Sequence, residues 1–275
     1  MESLDQLRRL FSAMRAISAL RVQEAVSALS GIRRYAQVVE GAISSAANLK
    51  PEAGIEWIGD ETQGSAVLVA ICAEQGFAGL FNRAVLEQAK SVLAPGEQLG
   101  IVGRRGGTLA AESGFEPHWT LPMATHVGGI ITTARHVAGN LLDATSVRLV
   151  YACYQKGGHF DVVVRPVIPI SLDLLKRVSN QPPPLHHLDP QVLLRQLIEE
   201  HLFADLVLAL MESLASENGN RLNVMKAADN NIEEKLDGLQ RHANQVRQQS
   251  ITSEILDIVT GAEAIMETAA GAKSD

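Results

Sequence analysis

The chain has 275 residues, a net charge of −7 and 46% apolar content, of which aromatics are only 4% of the whole. That length buries a real core, and alanine, leucine and valine must fill it, which suits long helices packed through small and medium side chains. The acidic balance and the scattered basic residues (Arg8, Arg9, Arg15, Arg33, Arg34) exclude the massed basic face of a nucleic-acid binder.

The first segment, Ser3 to Ala47, has no proline and reads as one helix, with Ser3 available as its cap. Leu7, Leu10, Met14 and Ile17 recur at three-four spacing, and Leu29, Ile32, Ala36, Val39 and Ile43 do so again, so a seam against a single partner helix is predicted. Residues 18–28 keep that register less well. The acidic start, with Glu2 and Asp5, is unlike a signal or transit peptide. No run approaches the roughly 20 apolar residues of a membrane span. A soluble cytoplasmic chain is therefore expected, reaching a membrane only through partners.

The middle segment changes character after Pro51 and Gly54. Ser65–Ile71 is a short β-branched apolar run and predicts a buried strand. Asn82–Val92 has helical spacing. Gln98–Val102 is a second strand, closed by the basic glycine turn 103–107. Residues 129–143 predict a second helix. Val147–Tyr154 and Phe160–Val167 are strands joined through Lys156, Gly157 and Gly158, which has hairpin chemistry. Alternating strands and helices predict a small α/β, Rossmann-like domain with a mostly parallel sheet and an antiparallel addition at one edge. Pro182, Pro183 and Pro184 then make a stiff linker.

The third segment, Pro190 to Ala269, has no further proline. Met225, Ala228, Ile232, Leu236, Leu239, Ala243, Val246 and Ser250 keep three-four spacing without a slip. At 1.5 Å per residue, roughly 80 helical residues span about 120 Å. A helix of that length needs a partner, and the first segment is the available one. The expected architecture is an α/β lobe plus a long antiparallel two-helix coiled coil built from both termini. Its parts are 1–53 (coiled-coil helix), 54–189 (central α/β domain and linker) and 190–275 (long coiled-coil helix).

Chemistry-bearing motifs are sparse. Cys72 and Cys153 fit no metal or CxxC spacing and are expected to be free thiols, Cys72 buried, in a reducing compartment. The 103–107 run lacks both the GxGxxG and the GxxxxGK[ST] spacing of phosphate loops. His118, His126, His136 and His159 have no ligand spacing, and no Ser-His-Asp order stands out. No catalytic residue, cofactor or metal is expected. Periodicity alone describes a rod with a lobe, and that leaves open a coiled-coil adaptor or scaffold unrelated to any motor.

One run is more specific. Ser213-Leu214-Ala215-Ser216-Glu217-Asn218 leads to Arg221, then Met225-Lys226-Ala227-Ala228, Asn230-Asn231, Leu239, Asn244, Arg247-Gln248, Ile251-Thr252, Glu254-Ile255 and Gly261-Ala262-Glu263-Ala264. In order, spacing and identity this resembles the C-terminal signature of the gamma subunit of F-type ATP synthases. Ala13-Met14-Arg15, Arg21-Val22-Gln23 and Arg34-Tyr35-Ala36 resemble that family's N-terminal helix, and Leu68–Asn82, Leu99–Gly107 and Val167–Ile170 resemble parts of its central domain. Two departures mark a divergent branch. Glu74-Gln75-Gly76-Phe77-Ala78-Gly79-Leu80 stands where the family has Asp-Arg-Gly-Leu-Cys-Gly-Gly, and the N-terminal helix begins later than is usual, so the top of the shaft is expected to be a single helix.

The resemblance implies a non-catalytic central rotor shaft, carrying rotation between a membrane c-ring and a catalytic hexamer. Implied partners are the α and β subunits, the epsilon subunit and the c-ring, with no nucleic acid. The implied location is peripheral, on the cytoplasmic face of a bacterial inner membrane. Implied contacts with loops of the β subunits fall on Arg221, Arg247, Gln248, Thr252 and Glu254.

Overall fold

The structure is a computed structural model that describes residues 2–47, 49, 64–171, 174 and 185–271. The expected turn at Pro51 and Gly54 and the triple-proline linker lie outside the described residues. The chain divides into two compact units, Ala13–Met225 and Met1–Ser12 with Lys226–Asp275.

Two helices dominate, α1 (Glu2–Ala47) and α5 (Pro190–Gly271). Between them come β1 (Ser65–Ile71), α2 (Phe81–Val92), β2 (Gln98–Val102), α3 (Arg104–Glu112), β3 (Trp119–Leu121), α4 (Ile130–Gly139), β4 (Ala144–Gln155) and β5 (His159–Ile168). A single 3₁₀ turn, Val127–Gly129, leads into α4.

In the larger unit the five strands form one sheet in the order β3-β2-β1-β4-β5. The first four are parallel, and β5 pairs antiparallel with β4 at the edge, as expected. β1 reads as an unbroken apolar run because both of its faces are covered. Leu68 and Ala70 pack with Phe81, Val85, Ala89 and Ala110 on the α2–α3 side. Val67, Val69 and Ile71 join Ile130, Ala134 and Val137 of α4 and Leu206, Leu210 and Leu214 of α5 on the other. Ala25 and Leu29 of α1 close that second cluster from outside.

Three expectations need correction. The basic glycine run is not a turn: Arg104 to Gly107 form the first turn of α3. Gly103 alone makes the bend, at φ +110°, where a Cβ would lie 2.4 Å from the Cys72 carbonyl oxygen. Ser3 is not a cap, since it lies inside α1. The inward line of the first half of α1 is also shifted by one residue. Leu7, Leu10 and Ile17 are exposed, whereas Ser18 and Ala25 are fully buried. Leu4, Arg8, Phe11, Arg15, Ser18, Val22, Ala25, Leu29, Ile32, Ala36, Val39 and Ile43 step by three and four without interruption. Small residues on this line let a neighbouring helix approach closely, and an apolar-only count passes over them.

In the smaller unit, Arg8 from that same line lies 3.4 Å from Glu233 and 3.8 Å from Asp229 of α5. Ile232 is buried between those two acidic positions. From Asp237 to Gly261 every described side chain is exposed, including Leu239, Val246, Ile251, Ile255 and Leu256.

Cys72 is fully buried behind β1, and burial pushes its thiol far above the ordinary range. Since the thiolate is the reactive form, iodoacetamide is expected to label Cys153 first and to reach Cys72 only in denaturant. Fast labelling of Cys72 in the native chain would contradict this packing.

Candidate functional site

The implied partner-contact residues fall into two environments. Arg247, Gln248, Thr252 and Glu254 are exposed on α5. The Thr252 hydroxyl donates 2.9 Å back to the Gln248 carbonyl, a local bond that leaves the helix face open. With Gln245, Gln249, Ser253 and Leu256, two of these residues line a shallow surface groove. The groove is lined by amide, hydroxyl and leucine side chains, whereas Arg247 and Glu254, seven residues apart, share the opposite face of the helix.

Arg221 lies elsewhere. It is 2% exposed. Its guanidinium donates to the Gly76 carbonyl at 3.2 Å, the Gln75 carbonyl at 3.4 Å, Asn218 Oδ1 at 3.1 Å and the Glu217 carboxylate. Four acceptors within one chain account for its burial, since a buried charge is tolerated when paired and hydrogen-bonded. Burial pushes the Glu217 carboxyl upward, opposed by the Arg221 charge and hydrogen bond.

Arg221 belongs to a larger polar seam that the periodicity did not expose. β4 pairs with β1 only as far as Val150. Beyond that point the β4 backbone on the β1 side needs other partners. α5 supplies them. Ala152 N–H donates to Ser213 Oγ at 3.3 Å, Ser216 Oγ donates to the Ala152 carbonyl at 3.1 Å, and Tyr154 N–H donates to Glu212 at 3.0 Å. Arg33 of α1 holds the same Glu212 carboxylate through Nε at 3.2 Å and through Nη2.

Past the strand, the hairpin turn meets α5 backbone to backbone. Gly158, at φ +78°, sits so close that a Cβ would lie 2.6 Å from the Gly219 carbonyl oxygen. Asn223 donates to the Gly157 carbonyl at 2.9 Å. On the other flank Asn220 donates to the Ala78 carbonyl. The Glu74–Leu80 turn is braced from within as well, because the Glu74 carboxylate accepts from the Arg104 N–H at 3.1 Å and the Met123 N–H at 2.9 Å.

This seam occupies a telling place. In open α/β sheets the ligand crevice lies at the carboxyl ends of the strands, where strand order reverses. Here the order reverses between β1 and β4, and the crevice is filled by α5 itself. Among the described residues no group of three or more His, Cys, Asp or Glu side chains could hold a metal ion, and no helix is long and apolar enough to cross a membrane.

Replacing Ser213 and Ser216 together by alanine would leave the buried Ala152 N–H and carbonyl unsatisfied. A loss of about 1–3 kcal/mol for each group is expected in chemical denaturation of the isolated chain. An unchanged midpoint would show that water replaces both hydroxyls. Glu217→Gln tests the contribution of this carboxyl to the pH dependence of stability. A raised carboxyl pKa contributes stability that is complete below the ordinary value of 4.5 and is lost as pH rises through the folded value. The substitution should flatten that decline, and an unaltered slope would place the titration on another group.

The comparisons with known proteins agree with this geometry. The family model described as ATP synthase matches residues 1–265. The chain is 26% identical over 291 residues to an ATP synthase gamma chain of an Anaeromyxobacter species, covering 96% of each. To the gamma chain of Sorangium cellulosum it is 27% identical, covering 90% of this chain and 86% of that relative. Among solved structures it resembles a chain from the central stalk and c-ring of the Tetrahymena thermophila mitochondrial ATP synthase. The TM-score is 0.60 at 19% identity, over 80% of this chain and 99% of that one. A chain of the Euglena gracilis mitochondrial ATP synthase matches with TM-score 0.59 at 13% identity, over 89% and 94%. The chain therefore belongs to the ATP synthase gamma-chain family, whose members form the central shaft of that rotary complex.

Proposed function

We propose that this chain turns inside a hexamer of α and β subunits and carries rotation between them and a membrane c-ring. The observation that carries the reading is the bare stretch of α5. Residues 237–261 form a helix with every described side chain exposed, rich in Leu, Ile and Val yet never slipping out of helix. Apolar side chains left exposed along a helix, as they are among the described residues here, mark a surface for partners in an assembly.

The proposed β-subunit contacts are Arg247, Gln248, Thr252 and Glu254. Arg247 can donate a two-pronged, charge-assisted bond to an acidic loop. Made to one β subunit at a time, such bonds give each shaft angle a different contact energy with each subunit. Differential contact energy is what biases a conformational equilibrium. Arg221 is proposed to take part indirectly, by holding the Gln75–Gly76 turn beside the exposed Phe77. Contacts with the epsilon subunit and the c-ring are proposed for the α/β lobe and the adjoining helices. The complex is membrane-associated and this chain is a peripheral part of it. A bacterial inner membrane, with the chain on the cytoplasmic face, is the proposed setting.

Reconstitution with α and β subunits tests the reading. One copy of this chain per hexamer should assemble and raise ATP hydrolysis, and failure of both would overturn it. In the full complex, Arg247→Ala with Gln248→Ala should lower ATP-driven ion pumping while leaving the circular dichroism and unfolding midpoint of the isolated chain unchanged. Undiminished pumping would remove the contact assignment and leave the shaft role standing.

A further inference from the structure

We propose that the seam between α5 and the lobe is a two-jawed clamp that passes torque from the lobe into the helix. This rests on the shaft reading above and adds which residues bear the load. A rotating helix can transmit torque to an attached domain only if the attachment resists turning about the helix axis. Apolar packing alone does this poorly, because it is non-directional, and a smooth helix in a greasy groove can roll.

The bonds along α5 are arranged to prevent rolling. Successive helical residues are about 100° apart. Glu212, Ser216, Gly219 and Asn223 therefore share one stripe, and each meets β4 or its hairpin turn: Tyr154, Ala152, Gly158 and Gly157 in order. Glu217, Asn220, Arg221 and Val224 share a second stripe, about 120° around the helix from the first. This stripe meets the turn after β1. Asn220 bonds Ala78, Arg221 bonds Gln75 and Gly76, Glu217 anchors Arg221, and Val224 Cγ2 stands where a Cβ on Gly79 would be 2.9 Å away.

The remaining side of the helix, Met211, Leu214, Asn218 and Met225, is buried as well. Leu214 and Met211 share a cluster with Ala25 and Leu29 of α1. α5 is thus enclosed on three sides, and on two of them the grip is directional and made to backbone.

Both jaws close on parts of the lobe that cannot yield easily. The first is the end of β4, which is held by β5 along Tyr151–Gln155 and continues a strand paired with β1 up to Val150. The second is the Glu74–Leu80 turn, whose Glu74 carboxylate is tied to the α3 N-terminus and to Met123, and whose neighbour Ala73 donates to Asn82 Oδ1 at 2.7 Å. Turning α5 in either direction stretches the bonds of one jaw and drives the other into backbone. The same geometry explains the glycines. Gly158 and Gly219 permit contact between helix and hairpin without an intervening side chain, which removes a compliant element from the joint.

The test uses the assembled ion-pumping complex. Ser216→Ala with Asn223→Ala opens the first jaw, Asn220→Ala with Val224→Ala opens the second, and the fourfold variant opens both. Arg148→Met, which breaks the Arg148–Glu97 pair in the first half of β4, is a destabilising control outside the clamp. Ions pumped per ATP hydrolysed is the readout. The proposal expects the fourfold variant to lose several-fold in that ratio while hydrolysis continues, each single-jaw variant to lose less, and Arg148→Met to keep the wild-type ratio. If the fourfold variant does not assemble, the two single-jaw variants decide. Wild-type ratios in both overturn the proposal, as does an equal loss in Arg148→Met. A wild-type complex that hydrolyses ATP without pumping would instead count against the shaft reading itself.

Discussion

β4 outlasts the strand beside it, and much else in this molecule follows from that. A buried backbone N–H or carbonyl must find a partner. Where β1 ends, Ala152 and Tyr154 find theirs in Ser213, Ser216 and Glu212 of α5. A helix side is thereby built into a sheet edge as if it were another strand. It also fills the crevice where a doubly wound sheet would receive a ligand. The lobe is consequently fastened to a helix at that place, and Glu212 extends the joint to Arg33 of α1. One carboxylate of α5 thus holds two elements that are distant in sequence, β4 and α1.

The same helix is used in contrasting ways along its length. Between Ala204 and Asn218 all described positions are buried, which is the behaviour of a helix enclosed on all sides. The polar residues in that stretch, Asp205, Glu212, Ser213, Ser216, Glu217 and Asn218, are matched to partners. Asp205, for example, accepts from Arg165 at 2.8 and 2.9 Å, while burial pushes its carboxyl upward. From Asp237 to Gly261 the described surface is apolar, polar and bare by turns. A shaft in a rotary complex has need of both: a part fixed to its lobe by specific bonds, and a part whose contacts are few enough to be made and broken at each step.

The strands β1, β2, β4 and β5, the long continuous α5 and the antiparallel edge were legible because burial imposes a period on apolar residues. What escaped was packing through small and polar side chains. Ser18 and Ala25 face inward on α1, while the more conspicuous Leu7, Leu10 and Ile17 face outward. α3 was hidden by Gly106 and Gly107, which look like a turn. They are glycines because a Cβ on Gly106 would lie 2.1 Å from that of Cys72, and one on Gly107 would lie 2.8 Å from Thr120 Cγ2. β3 is three residues long, too short to carry a period. The signature run from Ser213 to Arg221 was visible as a resemblance, but its role as a clamp was not. The one clue in the sequence is charged and hydroxyl residues set into an otherwise apolar helix, and their partners come from strands and turns that only the fold brings near.

Native-state hydrogen exchange on the isolated chain tests most directly whether the lobe and α5 are joined as described. Amides at the end of β4 (Tyr151–Gln155), the Glu74–Leu80 turn and α5 from Ala204 to Asn223 should open together, with one common free energy and one common dependence on denaturant. Residues 237–261 should exchange far faster. If β4 and the turn instead open at lower denaturant while α5 stays protected, the lobe is merely resting on the helix, and the clamp does not exist.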